Sequence, residues 1–480
     1  MEENIEVRTR FAPSPTGFMH IGNLRTALYA YLYARANGGK FILRIEDTDR
    51  EREVEGAVEL IYRTLETAGI KIDEGPNQGG DCGPYIQSQR QSIYVEYAKK
   101  LVELGGAYYC FCDKERLESL TDANGNRKYD KHCLHLSKEE IRAKLDAGIP
   151  YVIRQNIPLS GITEYEDMVY GKISVDCADL EDNILLKSDG MPTYNFANVV
   201  DDHLMGITHV IRGNEYLSST PKYNLIYKSF GWEHPHYMHL PPIMKDATRK
   251  LSKRYGDANF EDFVSKGYLP EAIVNYIALL GWSPKQNKEK MSMEELTELF
   301  SVDGLCKDSS IFDEAKLRWL NFEYIKEMSD EQYLEHAKPW FDKMGLDKYD
   351  LLYLSRLLKT RTEVLSEIPE KLEFLNSYDE NFDLELFTHK KMKTDKTTVK
   401  PALEAAEKNL AALNEYTEEK IHEVLMKTVE ESGMKNGQVL YPVRIAVTGV
   451  ANTPGGATEM IYLLGKTETL KRLETAVSRL

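Results

Sequence analysis

Cysteine is scarce in this chain, which has 480 residues and only six cysteines, at positions 82, 110, 112, 133, 177 and 306. Cysteines so few and so unevenly spread exclude a disulfide scaffold. No apolar run approaches the roughly 20 residues that a membrane span needs, and the acidic start, Met-Glu-Glu-Asn-Ile-Glu, has no apolar signal segment. We therefore predict a cytoplasmic protein with no membrane partner, and we expect a monomer.

Positive charge is in the minority, because 61 Lys and Arg stand against 77 Asp and Glu, for a net charge of −16. This balance argues against a protein that coats nucleic acid indiscriminately, although a local basic face stays compatible with it. The sequence also lacks internal repeats, a Gly-x-Gly-x-x-Gly motif and a His-Glu-x-x-His motif. Gly465-Lys-Thr467 resembles the end of a phosphate-binding loop, but Met460 stands where the first glycine is required.

The first 75 residues alternate strand and helix patterns. We predict a strand over 8–12, a helix over 20–37 that ends at Gly38-Gly39, and a strand over 41–45. Strand, glycine turn, helix and strand make a parallel α/β unit. Further along, helices dominate beyond residue 260, and three capping boxes open at Ser137, Ser292 and Ser329.

Two segments far apart in the sequence contain residues that could bind phosphate. In Pro13-Ser-Pro-Thr-Gly-Phe-Met-His-Ile-Gly-Asn23, a glycine turn delivers a helix N-terminus, whose amides and positive dipole form an anion site. Taken alone, His20 could equally be a capping or core histidine. Downstream, two lysines that could bind phosphates lie in the segment Arg249-Lys-Leu-Ser-Lys-Arg-Tyr-Gly256. Such a basic run is more often a solvated loop.

Together these segments resemble the two signatures of class I aminoacyl-tRNA synthetases, known as HIGH and KMSKS. Asn23 replaces the second His of the first signature, and Leu251 and Arg254 replace the Met and final Ser of the second, which this family tolerates. The match extends over further ordered segments that resemble the bacterial glutamyl-tRNA synthetases: Arg10-Phe-Ala-Pro-Ser-Pro-Thr-Gly17, Arg44-Ile-Glu-Asp-Thr-Asp-Arg50, Asp189-Gly-Met-Pro-Thr-Tyr-Asn-Phe-Ala-Asn-Val-Val-Asp-Asp-His203 and Val210-Ile-Arg-Gly-Asn-Glu-Tyr216.

The resemblance implies an α/β fold: a class I synthetase, Rossmann-like catalytic domain with an inserted acceptor-binding subdomain, followed by an all-α anticodon-binding half. The implied domains are 1–80 and 190–260 for catalysis, 81–189 for the zinc-containing insert, 261–320 for a helical stem-contact region, and 321–480 for the α-helical anticodon-binding domain. The implied reaction is ATP-dependent ligation of L-glutamate to tRNA(Glu) through glutamyl-adenylate, with Mg²⁺ travelling with the ATP.

The resemblance also implies the site residues. His20, Lys250 and Lys253 would be catalytic, because in-line attack of a carboxylate on a phosphate needs charge stabilisation. The ATP site would comprise Gly17, His20, Ile21, Gly22, Asn23, Lys250, Leu251, Ser252 and Lys253. The glutamate site would comprise Arg10, Ala12, Ser14, Glu46, Tyr194, Asn198 and Arg212. A dicarboxylate with an ammonium group calls for arginines and one acid, and Glu46 is the natural ammonium partner.

The insert is also predicted to hold a structural zinc. Cys110-Phe-Cys112 and Cys133-Leu-His135 offer three thiolates and one imidazole, which suit tetrahedral zinc. Some glutamyl-tRNA synthetases hold zinc with this arrangement at this place. Tyr129, His132 and Asp113 lie near enough in sequence to compete as ligands or to hydrogen-bond the ligands. The alternative is four reduced, unliganded side chains.

In the helical half, Arg361 aligns with an arginine that reads the last anticodon base in relatives that distinguish glutamate from glutamine tRNAs. A helix-surface arginine is the alternative, and the sequence leaves open whether tRNA(Gln) is also charged. Rival interpretations are a glutaminyl-tRNA synthetase, which would carry β-barrels after residue 320, a short paralogue without that half, and a non-catalytic tRNA-binding module. The helical patterns after residue 320 and the intact ATP signatures disfavour all three.

Overall fold

A computed structural model describes residues 6–49, 54–120, 128–251 and 259–480 of the chain. It divides into two compact units. The first ends at Leu317, and the second runs over Arg318–Leu480 and also takes Lys266–Tyr268. The sequence-based domain bounds stay predictions.

The strands of the described residues lie in the first unit. They are β1 (Arg8–Phe11), β2 (Lys40–Leu43), β3 (Ala107–Cys110), β4 (Val152–Gln155), β5 (Ile162–Asp167), β6 (Gly171–Asp176), β7 (Ile184–Leu186), β8 (His209–Gly213), β9 (His236–Leu240), β10 (Ile243–Met244) and β11 (Ser310–Ile311).

Helices occur in both units and account for nearly all regular structure of the second. They are α1 (Ile21–Ala36), α2 (Ala57–Thr67), α3 (Gln91–Glu103), α4 (Lys114–Glu118), α5 (Lys138–Asp146), α6 (Tyr194–Leu204), α7 (Thr220–Phe230), α8 (Phe260–Ser265), α9 (Pro270–Ala278), α10 (Met293–Leu299), α11 (Glu314–Ile325), α12 (Asp330–Met344), α13 (Leu351–Lys359), α14 (Ile368–Asn376), α15 (Lys396–Ala411), α16 (Glu418–Ser432), α17 (Asn436–Thr448) and α18 (Ala457–Arg479).

The main sheet has the strand order β2-β1-β8-β9-β5-β6. Strands β2, β1, β8, β9 and β5 run parallel, and β6 returns antiparallel to β5 at the edge. Because β5 and β6 form a hairpin on β9, part of the segment that the sequence assigns to the insert extends the catalytic sheet. The carboxyl ends of the parallel strands meet at one edge, where α/β proteins bind ligands.

Helix α1 follows β1 and is buried on nearly every side. Its buried residues include Leu24, Leu28, Tyr29 and Leu32, and it packs against β1, β2, α9 and α10. A helix covered all round has little amphipathic contrast, and its position is fixed by the sheet on one side and by helices on the other. This burial holds the N-terminus of α1 steady at the carboxyl edge of the sheet.

A second sheet, β3-β4-β7, is antiparallel and belongs to the inserted segment. Strands β10 and β11 form a short parallel pair. No strand follows Ile311 in the described part of the chain, so the α/β architecture followed by a helical half is confirmed. Among the helices of the described residues, none combines the length and the apolar character that a membrane crossing requires.

Candidate active site

A cavity of about 490 Å³ opens at the carboxyl ends of β1, β8 and β9 and at the N-terminus of α1. Most of the predicted glutamate and ATP residues line it together: Arg10, Ala12, Ser14, His20, Gly22, Asn23, Glu46, Tyr194, Arg212, Lys250 and Leu251. Gly17, Ile21 and Asn198 are not among the lining residues. Ser252 and Lys253 lie outside the described residues, so their predicted roles stay predictions.

His20 caps α1 at the floor of this cavity. Its Nδ1 accepts a hydrogen bond of 3.0 Å from the Gly22 amide, so the neutral ring carries its proton on Nε2. A side chain at Gly22 would meet that ring, because an added Cβ would lie 3.2 Å from Nδ1. No acidic residue occupies the first turn of α1, which leaves the positive end of the helix dipole uncompensated toward a ligand.

Gly17 makes a backbone turn that requires glycine. Its φ of +112° lies in the left-handed region that only glycine adopts without strain, and the turn it makes leads the chain from β1 into α1. Its contribution to the site is therefore the delivery of the helix N-terminus.

Lys250 and Leu251 lie on a turn that returns toward β10. The Leu251 amide donates to the Ile243 carbonyl oxygen at 3.0 Å, and the Lys245 amide donates to the Arg249 carbonyl oxygen at 2.8 Å. The Lys250 side chain is exposed and lines the cavity. The start of the basic segment thus reaches the same cavity as the helix N-terminus, although more than 200 residues separate them.

A buried ion network lies under the cavity. Arg10 donates from Nε to Asp202 at 3.1 Å, and Arg44 donates to Asp202 at 2.7 Å and to Glu46 at 3.0 Å. Burial raises the pKa of Glu46, against the opposing charges of Arg44 and Arg10. Burial also acts to raise the pKa of Asp202, but those two arginines outweigh it and hold the pKa below the ordinary value. The network fixes Arg10 and Glu46 where they line the cavity.

Arg212 enters the cavity from the end of β8. Its guanidinium carbon lies 5.0 Å from the ring centroids of both Tyr216 and Tyr223 and 5.4 Å from that of Tyr237. Aromatic faces stabilise a cation that burial deprives of water. The site therefore presents a buried positive group for a carboxylate.

Asn198 sits one helical turn after Tyr194 on α6 and is buried. Its Oδ1 has no hydrogen-bond partner among the described residues. Buried polar atoms are normally satisfied, so this atom is suited to a ligand or a water that completes the site.

Sequence reasoning missed several residues that line the cavity, among them Arg25, Glu215 and Tyr216. Arg25 is buried on α1 and donates to the carbonyl oxygens of Leu280 and Pro241. Nothing in a largely apolar helix marked it as a cavity residue. Glu215 and Tyr216 also line the cavity. Both residues stand at the end of the segment Val210–Tyr216, which the family resemblance singled out and which contains Arg212. Membership of that segment is the signal that could have identified them as cavity residues.

The predicted metal ligands are only partly brought together. The sulfur atoms of Cys110, Cys112 and Cys133 lie within 4.8 Å of one another, with Cys112 and Cys133 3.5 Å apart. His135 is exposed and is not part of this group. The fourth side is taken by the Tyr129 hydroxyl, 3.3 Å from the sulfur of Cys110 and 3.5 Å from that of Cys112. Three thiols around one point are donors that fit zinc, and the Tyr129 oxygen stands where a fourth donor would be needed.

Arg361 lies in the second unit, just after α13, and is exposed. Its guanidinium donates to the carbonyl oxygens of Leu357 and Pro454, so it lies against the loop before α18. Arg444 of α17 donates to two residues of the same loop, to Thr453 at 3.0 Å and to the Ala451 carbonyl oxygen at 2.9 Å. Two guanidinium groups therefore meet one loop.

Comparison with known proteins gives consistent matches over the whole chain. The family model "tRNA synthetases class I (E and Q), catalytic domain" matches residues 6–319, and "Anticodon binding domain" matches residues 332–477. The chain is 57% identical over 479 residues to a glutamate–tRNA ligase of Clostridium novyi, covering 99% of this chain and 98% of the relative. It is 56% identical over 484 residues to one of Clostridium botulinum, covering 99% of each.

A solved structure agrees with this. The crystal structure of a glutamate tRNA ligase from Elizabethkingia meningosepticum in complex with its amino acid has a TM-score of 0.90 and 36% identity to this chain. The match covers 99% of this chain and 100% of that one.

Proposed function

This chain belongs to the class I tRNA synthetases of the glutamate and glutamine group, it ligates glutamate to tRNA, and on this basis we propose which of its residues bind each substrate. Glutamate and ATP give glutamyl-adenylate and diphosphate, and the glutamyl group then passes to tRNA with release of AMP. The observation that carries the proposal is the cavity in which Arg10, Arg212 and Glu46 meet the N-terminus of α1.

For glutamate, we propose Arg10 and Arg212 as carboxylate partners and Glu46 as the ammonium partner. Their burial supports this, because charge pairing is strong where water is excluded. Tyr194 and Asn198 would add polar contacts, and Ala12 and Ser14 would form the wall of the pocket. A pocket that pairs every charge of glutamate rejects analogues that lack one of them.

For ATP, we propose that the phosphates lie at the N-terminus of α1, beside Ile21, Gly22 and Asn23, and that the His20 Nε2 donor and Lys250 contact them, with Gly17 shaping the turn. The Gly22 and Asn23 amides already donate to His20, so the helix dipole supplies the attraction at this end. Leu251, Ser252 and Lys253 complete this proposed site. Mg²⁺ bound to the ATP supplies further charge neutralisation.

For tRNA, we propose that Arg361 reads an anticodon base, with its exposed position against the loop before α18 in support. An arginine on a base edge contributes about 1–3 kcal/mol of discrimination. We also propose that the enzyme charges tRNA(Gln) beside tRNA(Glu), that it is a monomer and that it is cytoplasmic. Light scattering tests the monomeric state, and cell fractionation tests the location.

The direct test is aminoacylation of purified glutamate and glutamine tRNAs, each with glutamate and with glutamine. We expect glutamylation of tRNA(Glu) that depends on ATP. His20→Ala and Lys253→Ala should each lower the rate of adenylate formation by roughly 10²–10³-fold, because each removes a group that stabilises developing charge. Glutamate KM should change far less. Full activity of either variant would contradict its proposed role.

We also propose that Cys110, Cys112 and Cys133 hold a structural zinc, with the Tyr129 oxygen rather than the exposed His135 as the fourth donor. The zinc would tie the ends of β3 and the turn at Cys133 together. Elemental analysis of protein purified without added metal should find about one zinc per chain. Cys112→Ser and Tyr129→Phe should weaken its retention, and His135→Ala should not. Zinc loss in His135→Ala with full retention in Tyr129→Phe would reverse this ligand choice.

A further inference from the structure

Behind Arg212, a buried histidine and a buried carboxylate form a chain of hydrogen bonds that leads away from the cavity. Arg212 Nε donates to His239 Nε2 at 3.2 Å, and His239 Nδ1 lies 2.6 Å from an oxygen of Asp167. The side chains of His239 and Asp167 are both fully buried. Neither residue lines the cavity, so neither touches a ligand there.

The chemistry of the two end groups fixes the proton of the histidine between them. A guanidinium only donates hydrogen bonds, so His239 Nε2 must accept, and the proton of the neutral ring must sit on Nδ1. The Asp167 carboxylate is the matching acceptor. One of its oxygens also accepts from the His239 amide at 3.2 Å, and the other accepts from the amides of Val169 and Tyr170 at 2.9 and 2.8 Å.

These residues stand on paired strands rather than on loops. Arg212 of β8 and His239 of β9 are direct neighbours in the parallel register, and Asp167 ends β5, where it pairs with Tyr237 of β9. Thr220, at the start of α7, accepts from Arg212 Nη2 at 2.6 Å and donates to the Tyr216 carbonyl oxygen at 2.8 Å. A guanidinium held from two sides is oriented before its ligand arrives.

Burial lowers the pKa of His239, although the bond to Asp167 opposes this shift. A lowered pKa favours the neutral ring at neutral pH, and the neutral ring is the only form that can accept from Arg212. The electrostatics and the hydrogen-bond geometry therefore agree.

We propose that Asp167 and His239 are positioning residues, which hold Arg212 in the orientation that binds a carboxylate of glutamate. Asp167 selects the histidine tautomer, and the histidine aligns the guanidinium. This inference rests on the proposed role of Arg212 as a glutamate ligand. It joins the hairpin β5–β6, a part of the inserted segment, to amino-acid recognition.

The kinetic test compares glutamate KM and kcat at saturating ATP and tRNA. His239→Leu removes the acceptor, and we expect glutamate KM to rise about 10- to 100-fold, as for a lost hydrogen bond to a charged group. The kcat at saturating glutamate should stay within about threefold, because the reacting atoms are not touched. His239→Gln, whose side-chain oxygen can accept from Arg212, should recover most of the KM. His236→Gln, at the exposed start of the same strand, is the matched control and should behave as the unmutated enzyme.

The spectroscopic test uses nitrogen-15-labelled histidine in the full-length enzyme. The His239 signal, assigned by its loss in His239→Gln, should show the Nδ1-protonated tautomer. Asp167→Asn presents an amide donor to the ring, so the signal should shift to the Nε2-protonated form and glutamate KM should rise with it. An Nε2-protonated His239 in the unmutated enzyme would overturn the proposal by itself, even if the Leu variant fails to fold.

Arg212→Ala separates failure of this inference from failure of the site assignment. If Arg212→Ala raises glutamate KM but His239→Leu and Asp167→Asn leave it within about twofold, the positioning role is wrong and the ligand role stands. If Arg212→Ala itself leaves KM unchanged, the proposed glutamate site is wrong.

Discussion

At the scale of single residues, the charges of this molecule serve binding and stability together. Arg10 and Glu46 line the cavity, yet both are held by partners beneath it, Asp202 and Arg44. The family resemblance implies the two cavity residues, and their opposite charges suit glutamate. It does not predict their partners, because an aspartate in a helix pattern gives no sign of which arginine it will meet.

Glu74 gives a pH-dependent prediction at this scale. The pKa of Glu74 is lowered to about 2, chiefly by hydrogen bonds from Arg8. Hydrogen bonds from Tyr85 and Lys40 lower it further, and burial acts in the opposite direction. A carboxyl whose pKa falls on folding stabilises the protein above the unfolded pKa of about 4.3, and this contribution is lost as the pH falls toward the folded value. In urea unfolding, the unmutated protein should exceed Glu74→Gln in stability at pH near 7, and the gap should close between about pH 4 and pH 2. A gap that is constant over this range would contradict the assignment.

The zinc cluster shows the limit of sequence reasoning about residues. The spacing of Cys110, Cys112 and Cys133 pointed to one site, and the structure brings their sulfur atoms together. The identity of the fourth donor depends on which side chain of the short helical turn at His132–His135 points toward the three sulfur atoms. In the structure this turn leaves His135 exposed. Spacing alone does not contain this information.

At the scale of elements, local chemistry sets where helices begin, and tertiary packing sets how strands pair. The capping boxes at Ser137, Ser292 and Ser329 are confirmed, since each needs only a side chain and an amide three residues apart. The pairing of β5 with β9 was not predicted. It joins residues about 70 positions apart, and its register follows from the packing of the whole sheet.

Helix α18 carries a kink that tests an element directly. Gly465 has φ 72° and ψ 172°, a conformation that is essentially restricted to glycine, and an added Cβ would meet no atom within 4 Å. Gly465→Ala should therefore cost about 1–3 kcal/mol of unfolding free energy through backbone strain alone. Thr467→Ala, at an exposed position two residues on, should change it by less than about 0.5 kcal/mol. Equal stabilities of the two variants would show that the kink is not required.

At the scale of the whole molecule, the proposed amino-acid site lies in the first unit and the proposed anticodon contact in the second. The helical content after residue 317 could be predicted from the pattern, because helix periodicity is a local signal. The set of side chains that meet in the cavity could be predicted only through family resemblance, because its members come from five separate stretches of the chain.

This division predicts separable effects. Arg361→Gln should change the ratio of tRNA(Glu) to tRNA(Gln) charging, at a cost of about 1–3 kcal/mol, with glutamate KM unchanged. Arg212→Ala should raise glutamate KM, by roughly 2–5 kcal/mol of lost affinity, with the tRNA ratio unchanged. Steady-state kinetics with both tRNAs measure the two effects side by side. A shift of both quantities in either variant would contradict separability.

The hairpin β5–β6 has a consequence for chimeric synthetases. A graft that exchanges residues 81–189 between relatives as one cassette would replace the outer two strands of the main sheet, and β9 would become an unpaired edge wherever the foreign hairpin did not match it. Unpaired edges invite aggregation. The same cut would discard Asp167. A transplant that leaves the recipient's own β5 and β6 in place would keep the sheet closed. Because β7 pairs with β4, an acceptor-end module would then be exchanged as two pieces, one that ends before β5 and one that begins after β6 and carries β7.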